Sequence, residues 1–262
     1  MNMLKKWLLA AVIFFSGAAF ANTVTSDLSD TWWNESEPGW GVNVNHQRDV
    51  VFLTFFIYGA NGRVSWFTGQ TTNVGQNRQG ALIFAGSMYE FSGPWYGATF
   101  NPANVSGRNA GTVTFTAFLD SAILSYTIDG VVVYKVVTRQ TFRHNDLSGG
   151  YMGGIKQIES GCKNSAGNGE TNAIVDLTVS NTPTTFSMTA RKGDGSTCNY
   201  AGNYTQTGRL GRSRGTYTCG GGVSGTYDAF ELEASIQSFS GRYLSSDSAC
   251  DTLTGRFAGM RK

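Results

Sequence analysis

Most side chains with types and spacing suited to chemistry lie between Asp30 and Gln47. Glu35 and Glu37 are two nearby carboxylates, and His46 follows within the same segment, so a secreted hydrolase with these three as acid and base is one reading. The competing reading is structural: Glu37 accepts hydrogen bonds from the backbone amides of a turn, and His46 sits in a strand. His46 and His144 are the only histidines, and cysteines of an exported chain are oxidised, so neither a metal site nor a cofactor is expected.

The same segment is rich in flat rings. Trp32, Trp33, Trp40 and Trp66 are suited to stacking on a sugar or an apolar ligand, with the amides of Asn43 and Asn45 to orient it. A packed aromatic core would use the same tryptophans. Trp32 and Trp33 are adjacent, and neighbouring residues of a strand point to opposite faces, so both cannot enter one core.

These residues form a longer pattern: Trp33, Asn34, Glu37, Gly39, Trp40, Gly41, Asn43, His46 and Gln47, then Phe52, Phe55, Phe56, Tyr58, Gly62 and Trp66. In this pattern the chain resembles a group of exported, mostly uncharacterised bacterial proteins with a Trp-Asn-x-x-Glu-x-Gly-Trp-Gly-x-Asn-x-x-His-Gln signature. The resemblance is close over about residues 30 to 70 and loose beyond, and Glu35 stands where that signature carries proline. It implies an exported class and no mechanism.

Elsewhere the signals are weaker. No nucleophile elbow or Walker loop is present, and Gly220, Gly221 and Gly222 follow Cys219 without the Lys-Ser/Thr ending of a phosphate loop, so they read as a turn. Arg209, Arg212 and Arg214 cluster where an anionic surface could be gripped, but they read better as a solvated hairpin tip.

The N-terminus carries Lys5 and Lys6, an apolar run from Trp7 to Phe15 and a small-x-small ending at Ala19, Phe20 and Ala21, which predicts a signal peptide over 1–21. That run is too short to span a bilayer and no later one is longer, so no membrane-spanning helix is expected. The 20 Lys and Arg against 18 Asp and Glu come into balance once Lys5 and Lys6 are removed. A neutral mature chain lacks the basic field that draws in nucleic acid. A secreted or periplasmic location follows, with the four cysteines paired.

The elements that must hold these residues are strands. Trp40, Val42, Val44 and His46 alternate with polar residues, as do Val113, Phe115, Ala117 and Leu119. Asn61-Gly62 and Asp129-Gly130 each stand between apolar runs, where positive φ turns a hairpin. Every mature tryptophan precedes residue 100 and every cysteine follows residue 160. The expected fold is therefore all-β, with two tandem antiparallel up-and-down, barrel-like meanders: a Trp-rich unit over 22–145 and a disulfide-stapled one over 146–262.

The second half repeats Gly-x-aromatic, as in Gly202 with Tyr204 and Gly215 with Tyr217, which puts ring and glycine on one face. If Gly208 and Arg209 form a two-residue turn, Thr207 faces Leu210, Gly202 faces Gly215, Tyr200 faces Tyr217 and Cys198 faces Cys219. Cys198 then bonds Cys219, and by elimination Cys162 bonds Cys250 across a barrel seam. The function expected overall is a non-catalytic binding or envelope-associated protein, its partner a carbohydrate or apolar small molecule. An outer-membrane barrel is disfavoured by the nearly continuous apolar run Val50–Tyr58.

Overall fold

A computed structural model of the protein describes residues 27–262, so the signal peptide predicted at the N-terminus lies outside the described residues. The chain forms two closed eight-stranded barrels, each strand antiparallel to the next. The first comprises β1 Asp30–Trp33, β2 Gly41–Gln47, β3 Val50–Tyr58, β4 Val64–Gln76, β5 Leu82–Ser92, β6 Ser106–Ala117, β7 Ser121–Ile128 and β8 Val131–Arg139. The second comprises β9 Gly149–Cys162, β10 Gly169–Asn181, β11 Thr185–Lys192, β12 Thr197–Thr207, β13 Leu210–Cys219, β14 Ser224–Ala234, β15 Ser238–Asp247 and β16 Cys250–Arg261. No helix among the described residues is long and apolar enough to cross a membrane.

Alternation explains the first lumen. Val42 and Val44, Val51, Leu53 and Phe55, and Val113, Phe115 and Ala117 all point inward and are buried, with Phe84, Met88 and Leu124. Asn43 and Asn45 take the outer face of β2. Barrel closure depends on one short strand: β1 meets β8 only at Trp32–Arg139 and Trp33–Thr138.

The second barrel follows the predicted register. Thr207 faces Leu210, Gly202 faces Gly215, Tyr200 faces Tyr217 and Cys198 faces Cys219. Gly208 opens the turn with φ +63, while Arg209 stays out of the positive region. Disulfides join Cys198 to Cys219 and Cys162 to Cys250, the latter at the end of the β9–β16 seam. The glycines have the role their spacing suggested. A Cβ on Gly255 would lie 2.3 Å from the Tyr243 ring, and one on Gly241 would lie 2.8 Å from that of Phe257, so rings lie flat on bare backbone.

The barrels meet at the ends where their chains enter. The Gly208–Arg209 tip is not solvated: the Gly208 N–H donates to Thr141 Oγ1 at 2.9 Å, the Arg209 side chain donates to Asp27 Oδ2 at 2.6 Å, and it also pairs with Glu233. Arg212 donates to Asp120 of the first barrel at 2.8 Å and to Asp228 of its own at 2.6 Å. Only Arg214, paired with Asp228, remains on the surface. The arginine cluster thus joins two barrels, with Arg209 and Arg212 committed to carboxylates. Gly208 is required there, because a Cβ would lie 2.5 Å from both Arg139 and Asp30.

Candidate functional site

Glu37 lies in the loop that leads into β2 and His46 near the other end of that strand, so the five steps from Gly41 to His46, at about 3.3 Å each, alone put roughly 17 Å between the two ends. At the entry end, His46 Nδ1 accepts from the Leu28 N–H at 3.3 Å, while Nε2 lies 2.8 Å from the Arg48 carbonyl, to which it donates in the matching tautomer. At the far end Glu37 accepts from Trp40 Nε1 at 3.0 Å and from Lys135 Nζ. Its partners are thus side chains where turn amides were expected. The Lys135 ammonium holds the Glu37 carboxyl below its ordinary range. Glu35 is exposed on the same loop. The acid/base grouping of Glu35, Glu37 and His46 is therefore not assembled.

The signature segment builds a corner. Asn34 accepts from the Ser36 N–H at 3.0 Å, Tyr58 donates to the Gly39 carbonyl at 2.8 Å, and Gly39 adopts φ +106 directly beneath that hydroxyl. Trp40 packs against the core with the Lys135 ammonium 5.5 Å from its ring centre.

Among the proposed ligand contacts, Trp32 is corrected: it is fully buried, and its Nε1 donates to the Leu28 carbonyl at 3.0 Å. Trp40 is corrected likewise, since its ring is committed to the core and its N–H to Glu37. Asn43 accepts from the Thr31 hydroxyl at 2.8 Å on the outer face, and Asn45 is exposed beside it. These outer-face amides do not converge with the buried tryptophans on one groove. Trp33 lies outward, as adjacency to a buried Trp32 requires. Trp66 is exposed and stacks on Phe91 with ring planes 20° apart.

A repeated structural device escaped the sequence reading. Asp27-Leu28-Ser29 leads to Trp32, and Asp146-Leu147-Ser148 leads to Tyr151 with the same spacing. In each barrel the ring's polar atom donates to the leucine carbonyl four residues back, and an arginine from the last strand covers the ring: Arg139 at 4.6 Å and Arg261 at 5.0 Å. Arg139 also donates to the Asp27 carbonyl at 2.8 Å, and Arg261 to that of Ser148 at 3.1 Å. The recurrence of Asp-Leu-Ser ahead of an aromatic residue was the available signal. Its geometry plugs one end of each barrel.

The second lumen is lined by Tyr200, Tyr217, Tyr227 and Tyr243. Their hydroxyl partners include Asp247 for Tyr217, Ser213 for Tyr227 and Gln157 for Tyr243. The cavity between Tyr200, Tyr227, Tyr243 and Phe257 measures about 20 Å³. That is room for about one water and far below the several hundred Å³ of a ligand site. Among the described residues, the one grouping of metal-ligating types is Glu159 with Cys162 and Cys250, whose sulfurs are joined to each other.

The strongest surface feature is the β5–β6 connection at the far end of the first barrel. From Phe91 to Gly107 no residue carries a charge. Within it Trp95, Tyr96 and Phe100 are 67%, 96% and 69% exposed, and the same rim presents Tyr58, Val64, Trp66 and Val131. The bracketing charges pair, Arg108 donating to both Glu90 and Asp129 at 2.7 Å.

No family model matches the chain, and no curated protein matches it. Among solved structures it is similar to a protein of unknown function from the DUF3598 family of Nostoc punctiforme. That match has 10% identity and a TM-score of 0.23, and covers 90% of this chain and 94% of that one.

Proposed function

We propose that this is an exported, non-catalytic, envelope-associated protein that docks on a membrane interface through the aromatic rim of its first barrel. The observation that carries this reading is the uncharged stretch from Phe91 to Gly107 with Trp95, Tyr96 and Phe100 held out in solvent. Contiguous exposed apolar surface marks an interaction site, and tryptophan and tyrosine favour the headgroup level of a bilayer. The charges that bracket this stretch, Arg108 with Glu90 and Asp129, pair with one another, so docking draws chiefly on ring burial. Two disulfides support an oxidising compartment, extracellular or periplasmic.

Sedimentation with phosphatidylcholine vesicles tests it. The mature chain is expected to bind with a blue-shifted tryptophan emission, and Trp95→Ala with Tyr96→Ser should weaken binding at least about tenfold while the fold is kept. Vesicle binding that is absent, or equal in the variant, overturns the proposal. The stacked pair Trp66 and Phe91 favours a second reading, a carbohydrate platform. Under it, oligosaccharide titrations would quench the native chain and leave Trp66→Ala silent.

A further inference from the structure

The first barrel does not close along its whole height. β8 runs from Val131 to Arg139, but β1 accompanies it only at Thr138 and Arg139. Above that point β1 has already turned into the 34–40 loop, and among the described residues no backbone hydrogen bond joins that loop to β8.

The direction of the unpaired groups follows from the hairpin. Ile128 and Val131 flank the two-residue turn Asp129–Gly130, so they exchange both of their backbone bonds, and every second residue of β8 after Val131 bonds to β7. Val132, Tyr134 and Val136 therefore turn their N–H and C=O groups away from β7. The parity is confirmed lower down, where Thr138 faces Trp33 and the Gln140 N–H donates to the Thr31 carbonyl at 2.7 Å.

The same three residues carry the exposed side chains, Val132 at 71%, Tyr134 at 63% and Val136 at 57%. Free edges are ordinarily guarded by a charge, a proline or a bulge. None is present here, because Lys135, the one charged residue of this stretch, belongs to the inner face and pairs with Glu37.

We propose that two copies of this chain join edge to edge along β8, antiparallel, about a two-fold axis at Tyr134. A second copy is the fitting occupant because the stretch is self-complementary. An axis at Tyr134 sets Val132 opposite Val136 of the partner subunit, Tyr134 opposite itself, and Val136 opposite Val132 of the partner subunit. Unpaired donors then meet unpaired acceptors at each of these positions, and β-branched and aromatic side chains meet on one face with no opposed charge. The contact is isologous, so it closes at two copies and does not propagate.

Single cysteines read the register in lipid-free solution. Tyr134→Cys is expected to form a disulfide-linked dimer on mild oxidation. Val132→Cys alone should not, whereas Val132→Cys mixed with Val136→Cys should. Tyr134→Pro removes the N–H aimed at the partner without touching the β7 ladder, and should convert the native dimer to a monomer by sedimentation velocity. If that variant does not fold, Val132→Lys with Val136→Lys opposes like charges and serves instead. A native chain that stays monomeric at high micromolar concentration overturns the proposal, and so does cross-linking that ignores position. The Trp95→Ala, Tyr96→Ser variant should still dimerise and Tyr134→Pro should still bind vesicles, so failure of one proposal is distinguishable from failure of the other.

Discussion

Arg139 and Arg261 occupy equivalent places, yet their surroundings differ. The Arg139 side chain is essentially buried, 3.4 Å from the nearly buried Asp30 carboxylate and stacked on Trp32. Arg261 is exposed and covers Tyr151 from the solvent side. Arg139→Met removes the buried cation beside Asp30, leaving that carboxylate only the Thr31 and Arg209 N–H donors and the more distant Arg209 charge, and strips the Asp27 carbonyl of its donor. It should cost about 3 to 5 kcal/mol in denaturant unfolding. Arg261→Met should cost about 1 kcal/mol, the scale of a cation–π contact. Equal losses would show that the plug geometry, and not burial, sets the energy.

At the level of elements, the two disulfides constrain loops of different size. Cys162–Cys250 has a sequence separation of 88 and Cys198–Cys219 one of 21. In the chain-entropy model these stabilise by about 4 to 5 and about 3 kcal/mol. Replacing the first pair by serines should therefore lower the unfolding midpoint further, because it frees the β9–β16 seam as well as the longer loop. The hairpin register could be read before the fold because a turn and its flanking pairs are local. Like-with-like pairs of glycine, tyrosine and cysteine across Gly208–Arg209 admit one alignment. The pairing of β1 with β8 offered no such local cue.

For the whole molecule, the two barrels should respond differently to alkali. Burial pushes the Tyr200 and Tyr204 phenols up to about 12, and burial together with Asp247 raises that of Tyr217. The fold holds these phenols neutral, whereas an unfolded tyrosine ionises near 10. Their contribution is thus complete below about pH 10 and is lost as the pH rises from about 10 to 12. The second barrel should melt before the first in that window, with phenolate absorbance at 295 nm rising together with the loss of its circular dichroism. Phenolate formation that precedes unfolding would contradict this. Between the barrels, Arg209 and Arg212 join groups far apart in sequence, and their clustering looked like a free basic tip because nothing local marks Asp27 or Asp120 as partners.

What the residues determined alone is what period and short range can carry. Alternation gave inward and outward faces, as in Val42 and Val44 against Asn43 and Asn45. Asp129-Gly130 and Gly208-Arg209 gave turns, Gly-x-aromatic spacing gave flat rings on bare backbone, and the cysteine pairing followed from one register. Adjacency required one of Trp32 and Trp33 to leave the core without saying which. Tertiary structure decided everything that depends on where the ends of strands meet. Glu37 and His46 are close in sequence, but one lies in the loop that leads into β2 and the other near its far end, because an extended chain converts a short spacing into a long distance. Arg139 and Trp32 are far apart in sequence and in contact, because barrel closure brings the last strand to the first. The open upper edge of β8 arises from the same cause: β1 is four residues long and β8 nine, and only their pairing reveals the difference.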